Sequence, residues 1–126
     1  MEKDIWFVDD DLTFRFIIKK FLQDSTCEHR VKYFDDGDLA MLAIINAAKT
    51  GVTPKLIFLD LNMKYLEGWQ MIDLLNEFDR RLNVIILSSS LNPKDIERAK
   101  KEPLVKEFIS KPIDKEIIRQ KIEQYC

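Results

Sequence analysis

The stretch KLIFLDLNMKYLEGW spans Lys55–Trp69. Its apolar run, Leu56–Leu59, stops abruptly at Asp60. A short, unbroken apolar run reads as a strand buried on both faces of a parallel sheet. A carboxylate at the end of such a strand costs free energy unless something pairs with it. Two other runs have the same character, Ile5–Val8 and Val84–Leu87, and longer helical patterns separate all three. That alternation predicts βαβ units with these three strands at the centre. Arg30–Phe34 and Lys106–Ser110 are more polar and suit the sheet edges. The expected architecture is α/β: a doubly wound parallel sheet of five strands in the order 2-1-3-4-5.

Five helices are predicted between the strands. Leu12–Gln23 carries Phe14, Ile17, Ile18, Phe21 and Leu22 at helical spacing. Asp38–Lys49 is apolar on more than one face; Met41 and Ile45 there are read as buried packing, with a contact surface as the alternative. Trp69–Phe78 places Met71, Ile72, Leu75 and Phe78 on one stripe. Asn92-Pro93 is a start signal, Asn as cap and Pro at the first helical position. That fourth helix runs to about Lys101 and offers only Ile96 and Ala99 to the core, so it is expected to be weakly anchored. Asp114 caps the last helix, where Ile117, Ile118, Ile122 and Tyr125 share a face. Trp6 and Trp69 read as core or rim packing. The arrangement is flavodoxin-like.

Composition narrows the function. A chain of 126 residues is expected to form one domain, residues 1–126, and the Met1 start without a linker tail favours a complete single-domain protein. A net charge of −2 gives no footprint for nucleic acid or an anionic membrane. No apolar run reaches membrane-spanning length and no signal-peptide core is present, so a cytoplasmic protein is expected. Cys27 and Cys126 are too few for a disulfide framework. His29, the one histidine, excludes a two-histidine metal site within the chain and reads as a surface residue at a strand start. With three glycines there is no GxGxxG or GxxxxGK signature.

In the 2-1-3-4-5 order, ligands bind outside the carboxyl ends of the first and third strands. Asp9 and Asp10 follow the first strand and Asp60 ends the third, so three carboxylates meet in one crevice. Like charges repel and raise one another's pKa unless a cation sits among them. Three oxygen ligands with room for water suit Mg²⁺. Ser88 follows the fourth strand in NVIILSSS, and Lys111 follows the fifth in FISKPID. A hydroxyl and an ammonium beside a carboxylate and a divalent cation make a phosphoryl site with the carboxylate as nucleophile. Taken singly, Asp9-Asp10-Asp11 also reads as a solvated turn with a helix cap, Ser88 as a turn hydroxyl and Lys111 as a surface lysine.

Four pieces in order, IWFVDDD, LIFLDLNM…LEGW, VIILSS and FISKP, resemble the receiver domain of response regulators. That is the phosphoacceptor half of two-component signalling, and the likeness is to its stand-alone chemotaxis type. The resemblance covers essentially the whole chain. It implies Asp60 as the phosphorylated residue and a Mg²⁺ ion held by Asp9, Asp10, Asp60 and the backbone carbonyl of Asn62. It implies Ser88 and Lys111 on the phosphoryl oxygens, Ser88 and Phe108 as switch residues, and a Lys111-Pro112 bond that is often cis in the family. The implied donor is a histidine kinase or phosphotransfer protein docking on the first helix, where Asp11, Leu12, Arg15 and Phe16 would be exposed. The implied output is an unknown protein, or a homodimer, at the face of the fourth helix, fifth strand and fifth helix. No direct nucleic-acid or membrane partner is implied. Lys64 stands where the family usually has proline, Ser88 replaces the commoner Thr, and Ser89 replaces a common Ala. The resemblance implies a signalling domain and not an enzyme. A Mg²⁺-dependent phosphohydrolase of the haloacid-dehalogenase type would need a second Asp two residues after the nucleophile, where Asn62 stands. A receiver-like interaction module that is never phosphorylated is the other alternative.

Overall fold

The computed structural model describes residues 3–23, 29–51, 53–63, 66–79, 81–89 and 92–125. Cys27, Lys64 and Cys126 lie outside the described residues. The strands are β1 (Lys3–Val8), β2 (His29–Phe34), β3 (Leu56–Asp60), β4 (Val84–Ser88) and β5 (Val105–Ser110). The helices are α1 (Leu12–Phe21), α2 (Gly37–Thr50), α3 (Gly68–Phe78), α4 (Pro93–Lys101) and α5 (Lys115–Gln124). All strand pairs are parallel, in the order β2-β1-β3-β4-β5. This is the predicted doubly wound sheet, with the more polar strands at its edges.

The continuous apolar runs are explained by two cores, one on each sheet face. Successive strand residues point to opposite faces. Ile5, Phe7, Leu56, Phe58, Ile85 and Leu87 therefore pack against Phe14 and Ile18 of α1 and Ile118 and Ile122 of α5. Trp6, Val8, Ile57, Leu59, Val84 and Ile86 pack against Ala40 and Ile44 of α2, Met71, Ile72 and Leu75 of α3, and Ala99 of α4. Phe7 and Phe58 stack with ring centroids 4.6 Å apart. Residues such as these, each buried on folding, supply ~1.5–3 kcal/mol apiece. Trp6 is core, while Trp69 packs only partly buried at its margin.

The caps act as read. Asn92 accepts from the Lys94 amide at 3.0 Å with Pro93 opening α4, and Asp114 accepts from the Glu116 amide at 2.7 Å. The α2 helix begins at Gly37, a residue earlier than predicted, because Asp36 caps it through the Leu39 amide at 2.9 Å. The α4 helix buries only Ala99, with Ile96 half-covered, as its sparse apolar content requires.

Several expected core residues are corrected. Ile45 is exposed, while Met41 packs against the core. Ile17, Phe78 and Ile117 are also exposed. Each sits beside a buried stripe, and a helix resting on a flat sheet buries an arc too narrow to include the flank. The Lys111-Pro112 bond is cis.

Candidate functional site

The site forms where β1, β3, β4 and β5 end. The Asp9 amide donates to the Phe34 carbonyl at 3.0 Å, holding the end of β1 beside β2. Asp9 is buried; its Oδ1 accepts from the Asp11 amide at 2.9 Å and its Oδ2 from Lys111 Nζ at 2.6 Å. Asp10 is exposed at the rim. Asp11 caps α1, accepting from the amides of Thr13 and Phe14 at 3.0 and 3.3 Å. The solvated-turn reading thus describes Asp11 and leaves the other two for the crevice.

Asp60, the last residue of β3, is also buried. Its Oδ1 accepts from the Asn62 amide at 3.1 Å, and its Oδ2 lies 3.9 Å from Lys111 Nζ. Oxygens of Asp9, Asp10 and Asp60 fall within 4.8 Å of one another. Asp60 therefore has an amide and part of a shared ammonium as partners. They do not balance it. Its pKa is raised from 3.8 to about 6, first by burial and then, against the Asn62 hydrogen bond, by repulsion from Asp9. Both causes read from the sequence act here, and desolvation is the larger, because the carboxyl sits at the end of a core strand.

Lys111 follows β5, and its amide donates to the Ser88 carbonyl at 2.8 Å. Its ammonium stands 4.4 Å from the Phe14 ring centroid, which holds the side chain over the crevice. Ser88 is wholly buried at the end of β4, one residue beyond the position that pairs with Asp60. Phe108 is half-buried on β5 opposite Ile86 and packs on the α2–α4 side of the core. Asn62 is exposed beside Asp60, with its amide turned to the carboxylate. Three carboxylates and one ammonium leave the crevice net negative, and Asp10 opens it to water. Oxygen donors of this kind fit a hard cation that keeps part of its hydration, such as Mg²⁺.

Three contributions escaped the sequence reading. Gly68 opens α3 so close to β3 that a Cβ there would lie 2.7 Å from the Leu61 Cα and 3.0 Å from the Asp60 carbonyl oxygen. The glycine in LEGW was its signal. Trp69 donates from Nε1 to Asp95 at 2.9 Å and stacks under Arg98 at 4.5 Å. Arg98 also binds both carboxylate oxygens of Asp73 at 3.1 Å. These bonds tie α4 to α3, and separations of about 25 residues hide such pairs from any local pattern.

Residues 5–123 match the response regulator receiver domain, and the chain belongs to that family, the phosphoacceptor domains of two-component signalling. Similar solved structures include a two-component response regulator from Cytophaga hutchinsonii, 24% identical, covering 99% of this chain and 98% of that one with a TM-score of 0.85. The phosphorylated cyanobacterial phytochrome response regulator RcpA is 26% identical, covering 98% and 91% with a TM-score of 0.81. The Mn²⁺-bound form of response regulator Rcp1 is 24% identical, covering 97% and 90% with a TM-score of 0.76. A search of curated proteins finds no match. Receiver domains as a class are signalling domains served by histidine kinases or phosphotransfer proteins, and bind Mg²⁺ in an acidic pocket. Among the described residues, no helix is long and apolar enough to cross a membrane.

Proposed function

We propose that this chain is a cytoplasmic phosphoacceptor switch, a receiver domain whose acceptor is Asp60. The observation that carries this is the convergence of Asp9, Asp10 and Asp60 oxygens within 4.8 Å beside the Lys111 ammonium. A carboxylate oxygen of Asp60 attacks the phosphorus of a phosphohistidine on a kinase or phosphotransfer protein. The new O–P bond forms as the donor's N–P bond breaks, and the imidazole leaves with the electron pair. A Mg²⁺ ion, when bound by Asp9, Asp10, Asp60 and the Asn62 carbonyl, supplies charge neutralisation for the incoming phosphoryl oxygens. Lys111 neutralises one of those oxygens and Ser88 donates a hydrogen bond to another. RcpA is phosphorylated and Rcp1 binds Mn²⁺, and both share this fold.

Docking of the donor uses exposed Leu12 and Phe16 with Asp11 at the start of α1. Arg15, expected to be exposed there, is half-buried and paired with Asp35. Phosphorylation draws Ser88 inward, Phe108 follows, and the α4–β5–α5 face shifts toward the form that binds an output protein or a second copy. The thin apolar anchor of α4 suits a movable element. No nucleic acid or membrane is a direct partner in this reading.

Intact-protein mass after incubation with acetyl phosphate tests it, with and without Mg²⁺ and beside Asp60→Asn. A single Mg²⁺-dependent phosphoryl addition, lost in the variant, is expected. Addition that persists on Asp60→Asn overturns the acceptor assignment. Absence of addition from both acetyl phosphate and a phosphohistidine donor identifies a module that is not phosphorylated.

A further inference from the structure

The α2 helix is apolar on more than one face, yet only one side is buried. Ala40 and Ile44 face the core, while Leu42 is 59% and Ile45 39% exposed. An apolar face on a helix is ordinarily covered. At about 3.6 residues per turn, Leu42 points directly away from the Ala40–Ile44 side, and Asp38, Leu42, Ile45 and Lys49 fall within about 60° of arc. The outward stripe therefore reads acidic, apolar, apolar, basic along the helix. Among the described residues, the ion pairs of the chain involve neither Asp38 nor Lys49.

We propose that α2 is a self-complementary interface that pairs antiparallel with α2 of a second copy, Asp38 opposite Lys49 and Leu42 opposite Ile45 across a two-fold axis. The spacings between the four residues are four, three and four, so reversing the stripe superposes it on itself with opposite charges matched at both ends. A parallel pairing would set Asp38 against Asp38 and Lys49 against Lys49. The charges thus select both the partner, another copy of this chain, and its direction. Each charge also suits its own helix end, acidic at the start and basic at the finish, so the arrangement costs the monomer nothing.

The apolar surface extends onto α3. Asp73 and Asn76 bind Arg98 of α4 and Glu102 just after it, so the opposite flank of α3, carrying exposed Leu74 and Phe78, is turned toward α2. A two-fold axis perpendicular to α2 brings this flank to the same interface from both copies. Neither α2 nor α3 supplies a carboxylate, hydroxyl or ammonium of the crevice, and neither belongs to the α4–β5–α5 face. One helix layer per copy is small beside the ~1,600 Å² of a standard interface, so the association is weak, with a Kd on the order of 100 µM.

Sedimentation velocity on the intact chain up to roughly 1 mM tests the pairing at that affinity. The wild-type protein is expected to dimerise reversibly. Asp38→Lys and Lys49→Asp each turn two opposite-charge contacts into two like-charge contacts, and each is expected to weaken self-association about tenfold. Mixing the two variants restores opposite charges at both ends, and the mixture is expected to dimerise within about threefold of wild type. Leu42→Glu, at an exposed position that leaves folding intact by circular dichroism, is expected to abolish the dimer. A wild-type chain that stays monomeric overturns the proposal. So does a dimer that survives Leu42→Glu, which places self-association on another face, or a mixture no better associated than either variant alone.

Discussion

In the absence of divalent cations, Asp60→Asn is expected to raise stability at pH 7.5 by ~2 kcal/mol and to remove one step from the pH profile. The Asp60 carboxyl is raised from 3.8 to about 6, chiefly by burial. Below its unfolded value both states hold the proton and the group contributes nothing. Between 3.8 and about 6 the unfolded chain has released the proton while the folded chain keeps it, so stability falls as pH rises. Above that window the folded state carries the full cost of a buried, poorly balanced carboxylate. At ~1.36 kcal/mol per pH unit the ceiling is ~3 kcal/mol, and water at the mouth of the crevice screens it to ~2 kcal/mol. The Asn side chain keeps an oxygen for the Asn62 amide and has no charge to desolvate. Urea unfolding with chelator present, compared at pH 4.5 and 7.5, reads the gap between the two proteins. Titrating groups away from the crevice are common to both and cancel, while relief of the repulsion on Asp9 acts in the same direction as the lost Asp60 charge. The gap should widen by ~1–2 kcal/mol toward pH 7.5, a midpoint shift of about 1 M urea. A gap that is constant, or that narrows as pH rises, refutes the desolvation argument. Adding Mg²⁺ should invert the order, since a ligand at about a hundred times its Kd stabilises the wild-type fold by ~2.7 kcal/mol.

Lys111→Ala removes the ammonium 2.6 Å from Asp9 and leaves two buried carboxylates facing each other, so chelated protein at pH 7.5 should lose ~2 kcal/mol by urea unfolding. Labelling by acetyl phosphate should fall as well. Gly68→Ala presses a methyl to 2.7 Å from the Leu61 Cα, against backbone that cannot yield, and should lower stability by ~1–3 kcal/mol in a thermal melt. Trp69→Phe deletes the bond to Asp95 and weakens the stack under Arg98, and hydrogen exchange of α4 amides should quicken by about fivefold while central-strand amides are unchanged. Equal protection of α4 in both proteins would show that Trp69 does not hold it.

Local chemistry left strong marks in this sequence. The runs Ile5–Val8, Leu56–Leu59 and Val84–Leu87 announce central strands because both faces of each must be apolar. Asn92-Pro93 and Asp114 announce helix starts because a helix end leaves amides that a nearby side chain must satisfy. Asp60, Ser88 and Lys111 stand out because polar groups interrupt or follow apolar strands, and the strand order puts those ends together. Helix flanks were less legible. Ile45, Ile17, Phe78 and Ile117 have the residue type of a core position, and only the position of the sheet decides which arc is covered.

The sequence by itself determined the strands, the helix caps, the sheet order they imply and the set of polar residues at one edge, all consequences of short-range patterning. Only the tertiary structure decided how those residues divide their work. It gave Lys111 chiefly to Asp9, turned Asp11 away to cap α1, left Asp60 under-balanced and buried, and joined Trp69 to α4. Those outcomes depend on distances of a few ångströms between residues far apart in the chain, where Coulomb and desolvation energies change most steeply.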